Sequence, residues 1–105
     1  MILTGKCKEG FEKWLIGNPY DYDEPILYQE MPDFYNLPKS FQYGVFVDFF
    51  DTKGILISVA GLTLSKTYIF EIGIDKNVEY FGDCFKSLSE ARTAVIKKAN
   101  LLYNK

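Results

Sequence analysis

All four prolines of this 105-residue chain, Pro19, Pro25, Pro32 and Pro38, fall within one stretch, NPYDYDEPILYQEMPDFYNLPKS at 18–40. Each proline removes an amide donor and biases the residue before it away from helical geometry, so regular structure is expected on either side of this stretch. The stretch itself reads as a surface excursion with room for one helical turn around Ile26 to Glu30. Tyr20, Tyr22, Tyr28, Phe34 and Tyr35 argue against disorder, and their rings are expected to pack the loop onto the body.

Before the loop, TGKCKEGFEKWLIG places Cys7, Phe11, Trp14 and Leu15 at i, i+4, i+7 and i+8, with lysines and glutamates on the other side. That spacing predicts an amphipathic helix with Thr4 as its N-cap and Gly17 with Asn18-Pro19 as its stop. After the loop, ILISVA (55–60) and TYIFEIGI (67–74) are rich in β-branched and aromatic residues. In the second, Tyr68, Phe70, Ile72 and Ile74 alternate with Ile69, Glu71 and Gly73, the pattern of a strand with one buried face. VEYFG (78–82) supplies a third strand, and the short connections predict an antiparallel meander. The chain closes with SLSEARTAVIKKANLLYN, which opens on Ser87 and Glu90 at capping-box spacing and aligns Leu88, Ala91, Val95, Ala99 and Leu102 on one face.

The segment YGVFVDFFDTKG (43–54) fits two templates. By alternation, Tyr43, Val45, Val47 and Phe49 line a strand; at helical spacing, Phe41, Val45 and Phe49 stack on one face with Phe46 and Phe50 beside them. Val45, Val47 and the aromatics favour a strand, and Gly44 costs a helix up to about 1 kcal/mol.

Three stretches together, LTGKCKEGFEKWL, LPKSFQYGVFVDFFDTKGILISV and SEARTAVIKKANLLYN, resemble a group of small proteins encoded by bacterial phages and prophages. The resemblance spans most of the chain except the Pro-rich loop and the sheet turns, and it brings neither an activity nor functional residues. The group keeps a Leu-Pro start and an Asp-(Ser/Thr)-x-Gly end around the middle segment, which implies a helix with Pro38 in its first turn and Gly54 just past its end. On that reading Phe41, Val45, Phe46, Phe49 and Phe50 fill the core, while Gln42, Asp48 and Asp51 are solvated. The expected architecture is therefore α+β: one domain over 1–105, a three-stranded antiparallel meander packed by N-terminal, middle and C-terminal helices. The alternative makes residues 41–50 a fourth strand.

Composition narrows the function more by exclusion than by indication. The chain has no histidine, so it lacks the commonest general base, the usual partner of a Ser or Cys nucleophile and the commonest nitrogen ligand for metals. Cys7 and Cys84 are too isolated for a disulfide framework or a thiolate zinc site, and both are expected to be buried or half-buried thiols. No phosphate-cradling glycine loop, nucleophile elbow or metal-ligand cluster is present. Glu71 and Asp48 lie in apolar sequence and are the remaining candidates for an acid or base, if buried. No enzyme, cofactor or metal is expected. No signal-peptide pattern or long apolar run appears, so the expected setting is the bacterial cytoplasm, without membrane association.

Charge is polarised although the net charge is only −2. Five acids and no base lie between Lys13 and Lys39, whereas five bases face one acid from Cys84 to the end. Asp21, Asp23 and Glu24 lack the spacing of a calcium loop. Interleaved with Tyr20, Tyr22 and Tyr28, they read instead as a candidate partner-binding surface, or as a loop held by its tyrosines and kept soluble by its acids. Lys86, Arg92, Lys97 and Lys98 are the alternative, a phosphate-contacting set on the last helix, but nucleic acid is the less expected partner at a pI of about 5.1. Leu62, Leu64, Ile69 and Phe81 are expected to add exposed apolar area on an open sheet face, which favours a homodimer or a partner. The function expected from these features is non-enzymatic binding of a host protein, as a defence inhibitor or takeover factor; an accessory nucleic-acid binder or an assembly component is the alternative.

Overall fold

The computed structural model describes residues 1–17, 19–20, 34–75 and 77–105. Helix α1 (Gly5–Ile16) is followed by α2 (Lys39–Thr52), strands β1 (Ile55–Leu62), β2 (Thr67–Ile74) and β3 (Asn77–Phe85), and α3 (Leu88–Tyr103). The strands form one antiparallel sheet in the order β1-β2-β3. Helix α3 lies across all three strands, α2 packs beside it at β1, and α1 rests on α2 and α3. The α+β architecture expected from the sequence is thus the observed one, while the helical turn expected around Ile26 to Glu30 falls outside the described residues.

The 41–50 segment is helical, and burial explains why. Residues 42, 45, 46, 49 and 50 fall at i, i+3, i+4, i+7 and i+8, and all five are buried. A strand would send Val45 and Phe49 to one face and Phe46 and Phe50 to the other. The helix instead buries three phenylalanines on one side, each such burial worth about 1.5–3 kcal/mol, which outweighs the roughly 1 kcal/mol penalty of Gly44.

Two assignments on this helix are reversed. Phe41 is 46 % exposed and Gln42 only 1 %. The Gln42 amide donates from Nε2 to the carbonyls of Tyr35, at 3.0 Å, and Leu37, at 2.8 Å. Those carbonyls belong to the turn leading into α2, so a polar side chain is drawn inside to satisfy them.

Phe11 is the centre of the core. Its ring lies 5.2 Å from Phe34, 4.9 Å from Phe46 and 5.4 Å from Phe49, in tilted and edge-on arrangements. Phe49 also meets Trp14 and Tyr103, so the cluster joins all three helices. Gly10 permits this closeness: a Cβ there would stand 2.4 Å from the Tyr103 hydroxyl.

The entry to α1 is held from outside rather than by Thr4, whose hydroxyl makes no bond to its own helix. Asn100 Oδ1 accepts from Thr4 N–H at 2.9 Å, and its Nδ2 donates to the Thr4 hydroxyl at 2.9 Å. One turn further on, Asn104 Oδ1 accepts from Cys7 N–H at 2.8 Å, and its Nδ2 donates to the Thr4 carbonyl. Asn104 therefore does across the tertiary interface what a local N-cap does within a helix. At α3 the expected cap is present: Ser87 Oγ accepts from Glu90 N–H at 3.1 Å, though the Glu90 carboxylate reaches back to Lys86 N–H.

Strand β3 runs longer than 78–82 and carries two irregularities. The register with β2 shifts between Tyr68 and Phe70 and again between Ile72 and Gly73, each time with one extra residue on β3. The first bulge holds Cys84 at φ 63°, turning it outward, so Cys84 is exposed and only Cys7 is buried. Leu88, expected inside, lies at the boundary, while Ile96 and Asn100 join the buried face of α3.

Two outcomes follow from this packing. Gly10→Ala gains about 1 kcal/mol of helix propensity but forces Tyr103 aside, so thermal unfolding should show a net loss of about 1–3 kcal/mol that Tyr103→Phe partly restores. Burial pushes the Cys7 thiol from 9.0 up to about 12, and raises Tyr35, further raised by Glu12, and Tyr43, where Arg92 partly opposes the effect. Folded chains then hold these protons more tightly than unfolded ones. Stability is complete below the ordinary thiol value of 9.0 and falls as pH rises through the raised values, which denaturant titrations at about pH 8 and about pH 11 should show.

Candidate interaction surface

The helices cover one face of the sheet and leave the other open. Phe70 and Ile72 of β2 point into the core, so their neighbours Ile69, Glu71 and Gly73 point out. Pairing then sets three short rows across the open face: Leu56–Gly73–Val78, Ser58–Glu71–Phe81 and Ala60–Ile69. Leu56, Val78 and Phe81 are exposed by 49 %, 63 % and 56 %. Because Gly73 has no side chain, a depression of about 230 Å³ opens between Leu56 and Val78, floored by Ser58, Glu71 and Asn77.

The result is an apolar ring around one carboxylate. Glu71 is the acid at its centre, on the solvent side as strand alternation requires, and Asp48 is likewise exposed. Neither acid has the burial that an acid–base role was expected to draw on. Among the residues expected here, Phe81 and Ile69 do lie on the open face, with Leu62 at its far end and Leu64 on the β1–β2 turn. Leu56 and Val78 were not singled out in the sequence. The signal for Leu56 was available in the alternation of β1, whose even positions face away from Ile55, Ile57 and Val59; Val78 had none, since the register shift on β3 is what sets it opposite Gly73.

Of the candidate partner-binding residues in the acidic and tyrosine-rich loop, Tyr20 alone is described; Asp21, Tyr22, Asp23, Glu24 and Tyr28 lie outside the described residues. Tyr20 is half-buried, packs its ring against Trp14 at 5.9 Å and donates its hydroxyl to Asp48. It serves as an anchor tying the start of the loop to α1 and α2.

The basic set on and near α3 is not gathered into one patch. Arg92 stacks over the Tyr43 ring at 4.8 Å, towards α2, and Lys98 sits over the Tyr80 ring at 4.3 Å, towards β3. Lys97 borders a surface groove with Phe85 and Glu90, and Lys86 stands near the β1–β2 hairpin with Lys66. Helical geometry is responsible, since positions 92, 97 and 98 are spread around the axis.

Among the described residues no group of His, Cys, Asp and Glu side chains is placed to hold a metal ion, and no helix is long and apolar enough to cross a membrane. Comparison with protein-family models, with curated proteins and with solved structures finds no match.

Arg92 and Lys97 should behave differently. Arg92→Ala, which removes a half-buried stem and a cation–π contact, should lower stability by about 1 kcal/mol in chemical denaturation, whereas Lys97→Ala should leave it unchanged within about 0.5 kcal/mol.

Proposed function

We propose that this chain is a small non-enzymatic protein of phage or prophage type that binds a protein of its bacterial host, and that the open face of the sheet is the docking surface. The observation that carries the reading is the uncovered ring of Leu56, Val78 and Phe81 around Glu71. A partner suited to it presents apolar side chains around one Lys or Arg: the side chains are desolvated against the ring, and the cation answers the carboxylate. A second copy of this chain is the poorer occupant, because packing this face on itself about a two-fold axis brings Glu71 towards its own counterpart. The phage-like sequence of three long segments supports a host protein as the target. Blocking a defence or redirecting a host machine is the role such binding would serve.

The test is a pull-down from host lysate, run with and without nuclease, using the wild-type chain, Phe81→Ser and Glu71→Lys, each checked for unchanged circular dichroism. A single protein held by the wild type should be lost from Phe81→Ser by about tenfold or more and from Glu71→Lys almost completely, as for a central interface residue and a reversed charge. Retention of that protein by both variants removes the sheet face from the reading. Loss of every bound species on nuclease treatment transfers the function to nucleic acid.

A further inference from the structure

The two edges of the sheet are not alike. β3 is guarded: two bulges break its register with β2, Glu79 and Asp83 stand exposed along it, and the Lys98 ammonium lies 4.3 Å from the ring of Tyr80. Bulges and charges of this kind are how natural sheets turn away an added strand. β1 has neither. Its eight residues, ILISVAGL, carry no charge and no proline, and they pair with β2 residue for residue without a bulge. Among the described residues β2 is its one strand neighbour, so alternate residues of β1 aim their N–H and C=O groups outward in a regular row.

The core is also unfinished at this edge. Ile57 and Val59 face the helices and pack against the buried cluster, yet both stay half-buried, whereas their β2 partners Ile72 and Phe70 are covered. Their burial is completed by another strand laid against β1, provided that it too carries apolar side chains on its helix-facing side. β1 itself is such a strand.

We propose that β1 pairs with β1 of a second copy of this chain, antiparallel about a two-fold axis, joining two three-stranded sheets into one. Side chains opposite each other must share a face, so the axis passes through a residue position and not between two. Centring it on Ser58 sets Ile57 of each copy against Val59 of the other on the helix side, and Leu56 against Ala60 on the open side. Shifting the axis to Val59 would set Ile57 against Gly61 and lose those pairs. β-Branched side chains opposite each other stabilise an antiparallel ladder, and no like charges meet. A strand of another protein can bond the same backbone row, but this edge is complementary to itself. The interface is isologous and closes at two copies, because β3 offers no second edge to continue it. The pairing is independent of the docking face, which stays open in both copies on the same side of the joined sheet.

Sedimentation velocity of the purified full chain, from about 1 µM to about 1 mM, should show a reversible monomer–dimer transition. Amide hydrogen exchange on the same samples should show alternate amides of β1 becoming protected as the dimer forms. Ser58 is exposed, so Ser58→Lys and Ser58→Glu leave the core intact, and each sets like charges opposite each other at the axis. Either variant alone should dimerise more weakly by about tenfold or more, and an equimolar mixture of the two should recover the association of the wild type. A wild-type chain that stays monomeric throughout overturns the proposal and leaves the edge to a strand of another protein. A dimer whose β1 amides exchange as in the monomer also overturns it and assigns association to the open face. So does a dimer that both single variants form undiminished.

Discussion

The docking of α1 against the end of α3 is the constraint on which the rest of the structure rests. Among the helices and strands, α1 packs mainly on the other two helices, which set its position. Two kinds of interaction divide the work. Burial of Phe11 among Phe34, Phe46 and Phe49 supplies the stability, since truncating such a residue costs about 3–5 kcal/mol. The amides of Asn100 and Asn104 contribute only about 1 kcal/mol per hydrogen bond, but they fix the angle and depth at which α1 enters. An aromatic contact tolerates sliding and rotation far better than four directional bonds to Thr4 and Cys7 do. Asn100 and Asn104 lie one helical turn apart, so the clamp exists only because α3 is continuous to its last turn.

Much of the architecture was legible in the sequence because period and punctuation agreed. Thr4 to Gly17 and Ser87 to Asn104 carry both a helical stripe and end signals, and β2 alternates cleanly. The middle segment was not legible by pattern, since its aromatics satisfy both periods; the resemblance to phage-encoded proteins favoured the helix, and burial of Phe46 and Phe50 together with Phe49 shows why that form wins. What escaped were the polar residues whose roles are tertiary. Gln42, Asn100 and Asn104 look like surface residues in the chain because nothing local reveals that distant carbonyls and amides await them. Phe41 erred in the opposite direction: the stripe that includes it leaves no place for Gln42, and the turn carbonyls claim Gln42 first.

The same distinction governs the candidate site. The open face could be derived from β2, since a buried Phe70 and Ile72 force Glu71 outward. Its extent on β3 could not, because the bulges reset which residues face which way. Without the shift near Ile72, Glu79 would stand opposite Gly73; with it, Val78 does. One inserted residue thus decides whether that corner of the face is acidic or apolar. The basic residues show the converse, since the three cations of α3 are separated by helical geometry and two of them are drawn to the rings of Tyr43 and Tyr80.

The bulges also bear on why β3 takes no further strand. Both β1 and β3 are edges, and an exposed edge is a template for pairing with another chain. On β3 the two bulges, one of them holding Cys84 at positive φ, interrupt the row of amides and carbonyls that an added strand would need. Addition of a strand is therefore discouraged on that side while the broad face remains free. On the proposed reading, a partner is selected by side chains on this surface rather than by backbone pairing along β3. Side-chain recognition reads the chemistry of the partner, its apolar outline and the position of its cation, whereas edge pairing reads little beyond an extended backbone. On that reading the apolar outline of Leu56, Val78 and Phe81 and the charge of Glu71 are what discriminate between partners.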